Sequence, residues 1–221
     1  DLHPRVRRQR QMCIRDRENS LLDQEALIRG TSIYMLGRVI PMLPRELSNG
    51  ICSLNAGEDR FTLSCSMEID KKGKVISSEI YKGIIKVTER MSYTDVQKII
   101  DASDEVTLKR YQPYIQEFKN MEELAIILKN RRIEEGYLNL DIPESKIDLD
   151  IDGHVTNISK YETTFAHEII EQFMLTANET IAEKFFWLEA PFIYRVHEQP
   201  DLEKVLSLIH ISEPTRRSYI S

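Results

Sequence analysis

The segment Thr163–Trp187 limits the possible folds of this chain more than any other part of the sequence. Its apolar residues recur every three or four positions, the spacing that places side chains on one face of an α-helix. The apolar stripe consists of Ile169, Ile170, Phe173, Met174, Ala177 and Ile181. A helix of this length and pattern must bury the stripe, so we expect it to pack against the core.

Two stretches of strand-like sequence each turn back at a glycine. Phe61–Ile69 alternates apolar and polar residues, the loop DKKGK follows with Gly73 suited to positive φ, and Val75–Val87 returns as a second strand. Lys146–Ile151 and Val155–Ser159 flank another glycine turn in the same way. We therefore predict a mixed α/β (α+β) fold in which antiparallel hairpins are packed by long helices.

Shorter patterns complete the expected order of elements. Further helices are predicted at Ser20–Arg29, at Thr94–Asp101 and, with a break at Pro113, at Asp104–Glu135, whose apolar face holds Met121, Leu124, Ile127 and Leu128. Extended segments are predicted at Thr31–Ile40, Leu138–Ile142 and Phe192–Val196. Pro41 and Pro44 exclude a regular helix or central strand, so Pro41–Asn55 is expected to form an ordered loop.

The charge of the chain differs between its middle and its ends. Residues 18–205 hold 22 basic and 33 acidic side chains, a net charge of −11, which is the wrong sign for a simple nucleic-acid binder. Residues 1–17 and 206–221 have no clear hydrophobic period and resemble translated sequencing adapters. We interpret them as non-native tails around one domain, 18–205. The alternative is a basic N-terminal arm that follows RNA.

Several classes of protein are disfavoured by what the sequence lacks. No apolar run approaches the roughly 18 residues of a membrane span, and no signal-peptide core opens the chain. The three cysteines are widely spaced and odd in number, which fits a reducing, cytoplasmic compartment. We therefore expect no membrane association and no disulfide framework.

Metal-site patterns in the chain are incomplete. DLDIDG, beginning at Asp148, opens like a calcium loop, but Ser159 stands where that loop needs a bidentate carboxylate. His154, His167 and His197 lie far apart in sequence and outside any HExxH motif, so His167 is expected on a helix surface. We predict no metal ligands in this chain.

Five collinear blocks carry a resemblance to a known enzyme family. They are the segment Leu21–Asn55, which includes VIPMLPRELSNGICSL (Val39–Leu54), and the segments Asp59–Asp70, Glu89–Val96, Glu171–Glu183 and Pro191–Lys204. Together they resemble the ribonuclease II / ribonuclease R family, whose catalytic part is called the RNB domain. The resemblance implies a cytoplasmic, monomeric parent enzyme that degrades single-stranded RNA processively from its 3′ end with Mg²⁺.

The resemblance assigns RNA-binding roles to four positions. Tyr34 matches a tyrosine that stacks on the 3′-terminal base. Tyr93 matches a tyrosine implicated in telling RNA from DNA, and Glu171 matches a glutamate that acts with it at the ribose. Leu140 stands where the family has a phenylalanine, and leucine offers no aromatic face, so clamping of the base from both sides is in doubt. The plainer alternatives are a tyrosine packed on its loop for Tyr34, a helix-start contact for Tyr93 and a solvated carboxylate for Glu171.

The resemblance also implies what the chain lacks. In the family an aspartate cluster that binds metal precedes the matched region, and an arginine-rich segment follows it, which places both outside residues 18–205. We therefore expect the middle of a catalytic domain, without catalytic residues or Mg²⁺ ligands and inactive by itself. Two other interpretations stay open, a non-catalytic RNA-binding module and an acidic protein-interaction domain.

Overall fold

The first helix begins at the capping residues that the sequence predicts. The computed structural model describes residues 17–137, 144–196, 201, 204, 206 and 207. Ser20 is the N-cap of helix α1, and its hydroxyl accepts a hydrogen bond from the Asp23 N–H at 3.2 Å. The Asp23 carboxylate accepts in turn from the Asn19 N–H at 2.9 Å. The bond to Ser20 satisfies a backbone donor that the helix itself leaves unpaired, and the bond to Asp23 holds the residue that precedes the cap.

Helices and strands alternate in short groups along the chain. The helices are α1 (Leu21–Arg29), α2 (Tyr93–Ile100), α3 (Glu105–Arg110), α4 (Ile115–Glu134) and α5 (Phe165–Trp187). The strands are β1 (Ile33–Met35), β2 (Arg38–Ile40), β3 (Asp59–Ile69), β4 (Val75–Lys86), β5 (Ser145–Leu149) and β6 (Val155–Lys160). A π-helical turn at Glu46–Ile51 and a 3₁₀ turn at Gln112–Tyr114 complete the order. The chain is thus a mixed α/β fold, as predicted.

Among the described residues, the strands pair into three separate antiparallel hairpins, β1–β2, β3–β4 and β5–β6. Gly73 lies in the β3–β4 turn with φ +79°, a conformation that side chains disfavour. The Gly73 carbonyl accepts a hydrogen bond from Arg131 on α4 at 2.9 Å, so this helix contacts the tip of the hairpin. The two predicted hairpins are confirmed, and the extended segment 31–40 forms a third.

The buried face of α5 differs from the predicted stripe. Ile169 is buried, but Ile170 and Met174 are 43% and 55% exposed. The face that is buried instead holds Ala166, Ile169, Gln172, Thr176 and Thr180. The reason is the neighbouring helix α4, which places the guanidinium of Arg132 against Gln172 and Thr176, a position that polar residues can satisfy.

One predicted strand does not form in the described residues, and another is not tested by them. Phe192–Val196 is irregular, and the ring of Phe192 stacks on Phe185 with centroids 4.7 Å apart. An aromatic, β-branched segment forms a strand only when another strand supplies its hydrogen bonds, and none does so in the described part of the chain. The other segment, Leu138–Ile142, lies outside the described residues.

The core is formed mainly where α2, α4 and α5 meet. Its buried hydrophobic residues are Ala26, Ile99, Tyr111, Ala125, Leu128, Ala166 and Ile169. The chain divides into two compact units, residues 1–180 and 181–221, and this core belongs to the first. Within the described ranges, no helix is long and apolar enough to cross a lipid bilayer.

Candidate functional site

A cleft of about 1420 Å³ opens in the first unit. It is lined by the start of α2, the end of α3, one face of α4, the β5–β6 hairpin and the start of α5. Its lining includes five cationic side chains, from Arg90, Lys98, Arg110, Lys146 and Lys160, and three acidic ones, from Asp95, Asp101 and Glu162. The chain as a whole has a formal net charge of −6, so basic groups are locally concentrated in this cleft.

Hydrogen bonds between elements fix the walls of the cleft. Gln97 on α2 accepts from the backbone N–H of Ala166 at 3.0 Å and so satisfies a donor in the first turn of α5. The hydroxyl of buried Tyr111 donates to the Asp95 carboxylate at 3.4 Å. Removal of the Tyr111 phenol from water raises its pKa above the ordinary value for tyrosine. This wall therefore contains the neutral phenol of Tyr111 and the first turn of α5, whose backbone donor is satisfied by Gln97 from α2.

One aromatic group stands out in the cleft, and we call it the His167 cluster: Tyr93, Tyr161, Thr164 and His167. The rings of Tyr93 and His167 stack with centroids 3.9 Å apart and planes 20° apart. Tyr161 meets the edge of the imidazole at a centroid distance of 5.9 Å, and its hydroxyl lies 3.3 Å from Nε2. The cluster presents a layered aromatic surface to the cleft.

The hydrogen bonds of His167 assign its tautomer. Nδ1 accepts from the Thr164 backbone N–H at 3.1 Å and lies 2.9 Å from the Thr164 hydroxyl. A backbone N–H can only donate, so Nδ1 carries no proton. The proton of the neutral ring is therefore on Nε2 and points at the Tyr161 hydroxyl. The imidazole is thus held by Thr164 at Nδ1, by Tyr161 at Nε2 and by stacking against Tyr93.

The structure places the predicted site residues at different distances from this cluster. Tyr93 lines the cleft and is 45% exposed. Glu171 is exposed on α5, four residues after His167, and such residues share a helix face. Tyr34 is 80% exposed on β1, which disfavours the alternative that it packs on its loop, and it is not among the cleft residues. Leu140 lies outside the described residues.

Sequence reasoning missed Arg60, which fixes the loop after β2. Arg60 is 8% exposed, and its guanidinium donates to the carbonyls of Ser53 at 2.8 Å and Gly50 at 3.2 Å. It also pairs with Glu58. The loop 41–55 is thus held by an arginine that follows it in sequence, and the alternating strand pattern around Arg60 gave no sign of this role.

Arg132 was also missed, and it joins α4 to α5. Its guanidinium makes two hydrogen bonds to Glu179, at 2.6 and 2.9 Å, and one to Gln172 at 3.1 Å. The bond to the Glu179 carboxylate raises the pKa of Arg132. A second ion pair between these helices connects Lys129 to Glu168 at 2.5 Å. These contacts set the position of the helix that carries His167 and Glu171.

The described residues include one group that resembles a metal site, Asp150, Asp152 and His154, all of them exposed. Asp150 already accepts backbone hydrogen bonds from Asp152 at 3.0 Å and His154 at 2.8 Å, which close the β5–β6 turn. Mg²⁺ prefers octahedral oxygen ligands, and an exposed turn with one imidazole does not fit that preference. No catalytic step is assigned to this turn.

Comparison with known sequences decides the family. The sequence model of the RNB domain matches residues 15–220. This chain belongs to the RNB domain family. Ribonuclease R of Thermotoga maritima is 45% identical over 193 residues, 87% of this chain and 27% of that protein. Ribonuclease R 1 of Lactococcus lactis is 47% identical over 192 residues, 87% of this chain and 23% of that protein.

Solved structures share the RNB fold of this chain. Mycoplasma genitalium RNase R in complex with ribose-methylated single-stranded RNA has a TM-score of 0.79 and 32% identity, over 88% of this chain and 30% of that one. The same enzyme in complex with double-stranded RNA gives a TM-score of 0.80, over 91% of this chain and 35% of that one. The RNB chain spans about a quarter of the length of the curated relatives that it matches.

Proposed function

We propose that this chain is the RNA-reading part of an exoribonuclease that digests single-stranded RNA from its 3′ end, processively and with Mg²⁺. The cleft between α2 and α5 carries this proposal, because an aromatic ring and five cationic side chains share one concave surface. RNB family membership and the RNA complexes of the M. genitalium enzyme support RNA as the ligand. The proposal concerns residues 18–205, and the adapter origin of the two ends stays a prediction.

The cleft suits an unpaired strand for two physical reasons. Cationic side chains neutralise backbone phosphates without regard to sequence. Exposed aromatic faces stack on bases that are not already stacked in a duplex, which contributes about 1–3 kcal/mol per base. Tyr93 has one ring face against His167 and remains partly exposed, so it is available for such a contact.

Discrimination between RNA and DNA is assigned to Tyr93 and Glu171. The ribose 2′-hydroxyl is both a donor and an acceptor, and only RNA has it. A phenol can donate to that oxygen while a carboxylate accepts its proton. Tyr93 stacks on His167, and Glu171, which is not among the cleft residues, follows His167 by one helical turn on α5. This spacing supports a shared ribose site.

Tyr34 and Leu140 are proposed to hold the terminal base with unequal strength. The phenol of Tyr34 projects from a short hairpin and is well exposed, as a stacking platform must be before it binds RNA. Leucine at position 140 can pack on a base but has no π system. We therefore propose stacking by Tyr34 on one face and weaker apolar contact by Leu140 on the other.

Catalysis is proposed to require parts of the parent enzyme beyond residues 18–205. When bound in the parent, Mg²⁺ would activate water and stabilise the leaving oxygen. Since the turn at Asp150 does not fit that ion, this chain by itself is expected to bind RNA without hydrolysing it. Monomeric state and cytoplasmic location of the parent stay predictions from the resemblance.

Fluorescence anisotropy of the 221-residue chain tests the proposal. An end-labelled oligonucleotide of about ten nucleotides is titrated as RNA and as DNA of the same sequence. Y93L should weaken RNA binding by about 5- to 150-fold, the loss of one stacking contact. The control Y137L, which removes another exposed tyrosine just after α4, should leave RNA affinity unchanged.

Other outcomes favour the alternative functions. Absence of RNA binding by the wild-type chain would contradict an RNA-reading role and favour an acidic protein-interaction domain. Mg²⁺-dependent shortening of the labelled RNA by the purified chain would contradict the proposed inactivity. RNA binding together with a parent gene that encodes no aspartate cluster upstream would favour a non-catalytic RNA-binding module.

A further inference from the structure

We propose that His167 is a positioning residue, which fixes the Tyr93 ring and so sets the preference of the cleft for ribose over deoxyribose. The inference rests on the proposed function, because it concerns how the RNA-reading pair Tyr93 and Glu171 is held. It names a residue that the sequence motifs left on a helix surface.

The rings of Tyr93 and His167 are in direct contact. Tyr93 is the first residue of α2, and its side chain is partly exposed. The imidazole of His167 lies nearly parallel to the Tyr93 ring at a centroid distance of 3.9 Å. Stacked rings restrict rotation about χ1 and χ2, because other rotamers lose the contact. His167 thus determines where the Tyr93 hydroxyl points.

The ring of His167 is itself held in place by hydrogen bonds. Nδ1 is bound by the Thr164 backbone N–H at the start of α5, and Nε2 is directed at the Tyr161 hydroxyl. Few side chains can reproduce both bonds and a flat ring. Phenylalanine keeps the ring but has no acceptor for Thr164, and leucine keeps neither. These differences separate the stacking role from the hydrogen-bonding role.

Helix α5 connects His167 to Glu171. His167 and Glu171 are one helical turn apart on α5, so their Cβ atoms are separated by about 6 Å. The start of this helix is anchored to α2 by Gln97 and to α4 by the ion pair from Glu168 to Lys129. A rigid helix start therefore holds the backbone of Glu171 in fixed relation to the imidazole of His167, and Tyr93 stacks on that imidazole.

The decisive measurement is the ratio of RNA to DNA affinity in the anisotropy titration. We expect about tenfold preference for RNA in the wild-type chain, the effect of one well-made hydrogen bond to the 2′-hydroxyl. H167L should reduce the preference at least threefold, and H167F should reduce it less because a ring remains to stack. The control H154L, at the exposed β5–β6 turn, should keep the wild-type ratio.

A double variant separates positioning from general structural damage. If His167 acts through Tyr93, adding H167L to Y93L should not change the RNA-to-DNA ratio any further. A structural defect would instead weaken RNA and DNA binding equally in either background. A wild-type chain without preference for RNA would overturn the proposed ribose site and this inference with it. A wild-type preference that H167L leaves intact would overturn the inference alone.

NMR of the wild-type ring covers the case in which H167L does not fold. With His3, His154, His197 and His210 replaced by glutamine, the only imidazole signals belong to His167. Nitrogen chemical shifts should identify a neutral ring protonated at Nε2, as the bond from Thr164 requires. A ring protonated at Nδ1 would contradict the bond from Thr164, and the proposal would fail.

Discussion

At the scale of single residues, two arginines with little solvent exposure show how charge organises this chain. Arg60 and Arg132 are both enclosed by oxygen acceptors, most of them backbone carbonyls for Arg60 and side chains for Arg132. Arginine suits such positions because its planar guanidinium has five donors and stays charged. Neither position could be recognised from the sequence, since the acceptors come from residues that pattern analysis assigns to a loop or to a helix.

Arg60→Met should destabilise the first unit. Its removal takes the charged donor away from the part-buried carbonyls of Ser53 and Gly50, which costs about 1–3 kcal/mol. Urea unfolding followed by circular dichroism measures the loss. The matched control Arg45→Met alters an exposed arginine in the same loop and should change stability by less than about 0.5 kcal/mol. Equal effects of the two substitutions would show that Arg60 does not hold the loop.

At the scale of elements, the hairpins were the most predictable part of the fold. Strict alternation and a glycine in the turn locate β3, β4 and their connection, because both signals are local. The buried face of α5 was not predictable, because it depends on Arg132 from another helix. The exposed Ile170 and Met174 carry the apolar period, whereas buried Gln172 and Thr176 interrupt it.

The turn between β3 and β4 should contribute a pH-dependent part of stability. The Asp70 carboxylate accepts backbone hydrogen bonds from Lys74 and Lys72, and the bond from Lys74 is the main cause of its lowered pKa. A lowered folded-state pKa means stability that is present above the unfolded pKa, near 4, and is lost as pH falls through the folded value. Asp70→Asn should reduce the change in the free energy of unfolding between about pH 2 and pH 5, as measured by urea titration at each pH. An unchanged pH dependence would contradict the role of the turn.

The contact between α4 and α5 should depend on Arg132 more than on its exposed partner. Arg132→Leu leaves buried Gln172 without its donor and should cost about 2 kcal/mol. Glu179→Gln removes only an ion-pair charge at a side chain that is more than half exposed, and should cost less than about 1 kcal/mol. Chemical unfolding of both variants tests the order. A larger loss from Glu179→Gln would indicate that charge, not hydrogen bonding of Gln172, holds the helices.

At the scale of the whole molecule, the distribution of charge matters more than its sum. The acidic total argues against nucleic acid, yet five cations line one cleft. Sequence alone could not locate them together, because Arg90, Arg110 and Lys146 come from segments that meet only in the fold. The family resemblance predicts roles for Tyr93 and Glu171, but only the structure shows that His167 stacks on Tyr93.

RNA binding should therefore weaken with salt, but only moderately. Each phosphate neutralised on a single strand contributes about −0.7 to the slope of log K against log salt, so five cations set a limit near −3.5. Anisotropy titrations between about 50 and 300 mM KCl measure the slope. Arg90→Gln should make the slope less negative by about 0.7. A slope near zero would exclude the cleft cations as phosphate contacts.

The central claim is that one unpaired RNA strand lies in the cleft against the His167 cluster. Photo-crosslinking tests it most directly, with a single-stranded oligonucleotide that contains 4-thiouridine, followed by mass spectrometry of the attached peptides. The account predicts crosslinks on the peptides that carry Tyr93 or His167, and their suppression by excess unlabelled RNA but much less by DNA. Crosslinks confined to peptides outside the cleft, or competed equally by RNA and DNA, would contradict it.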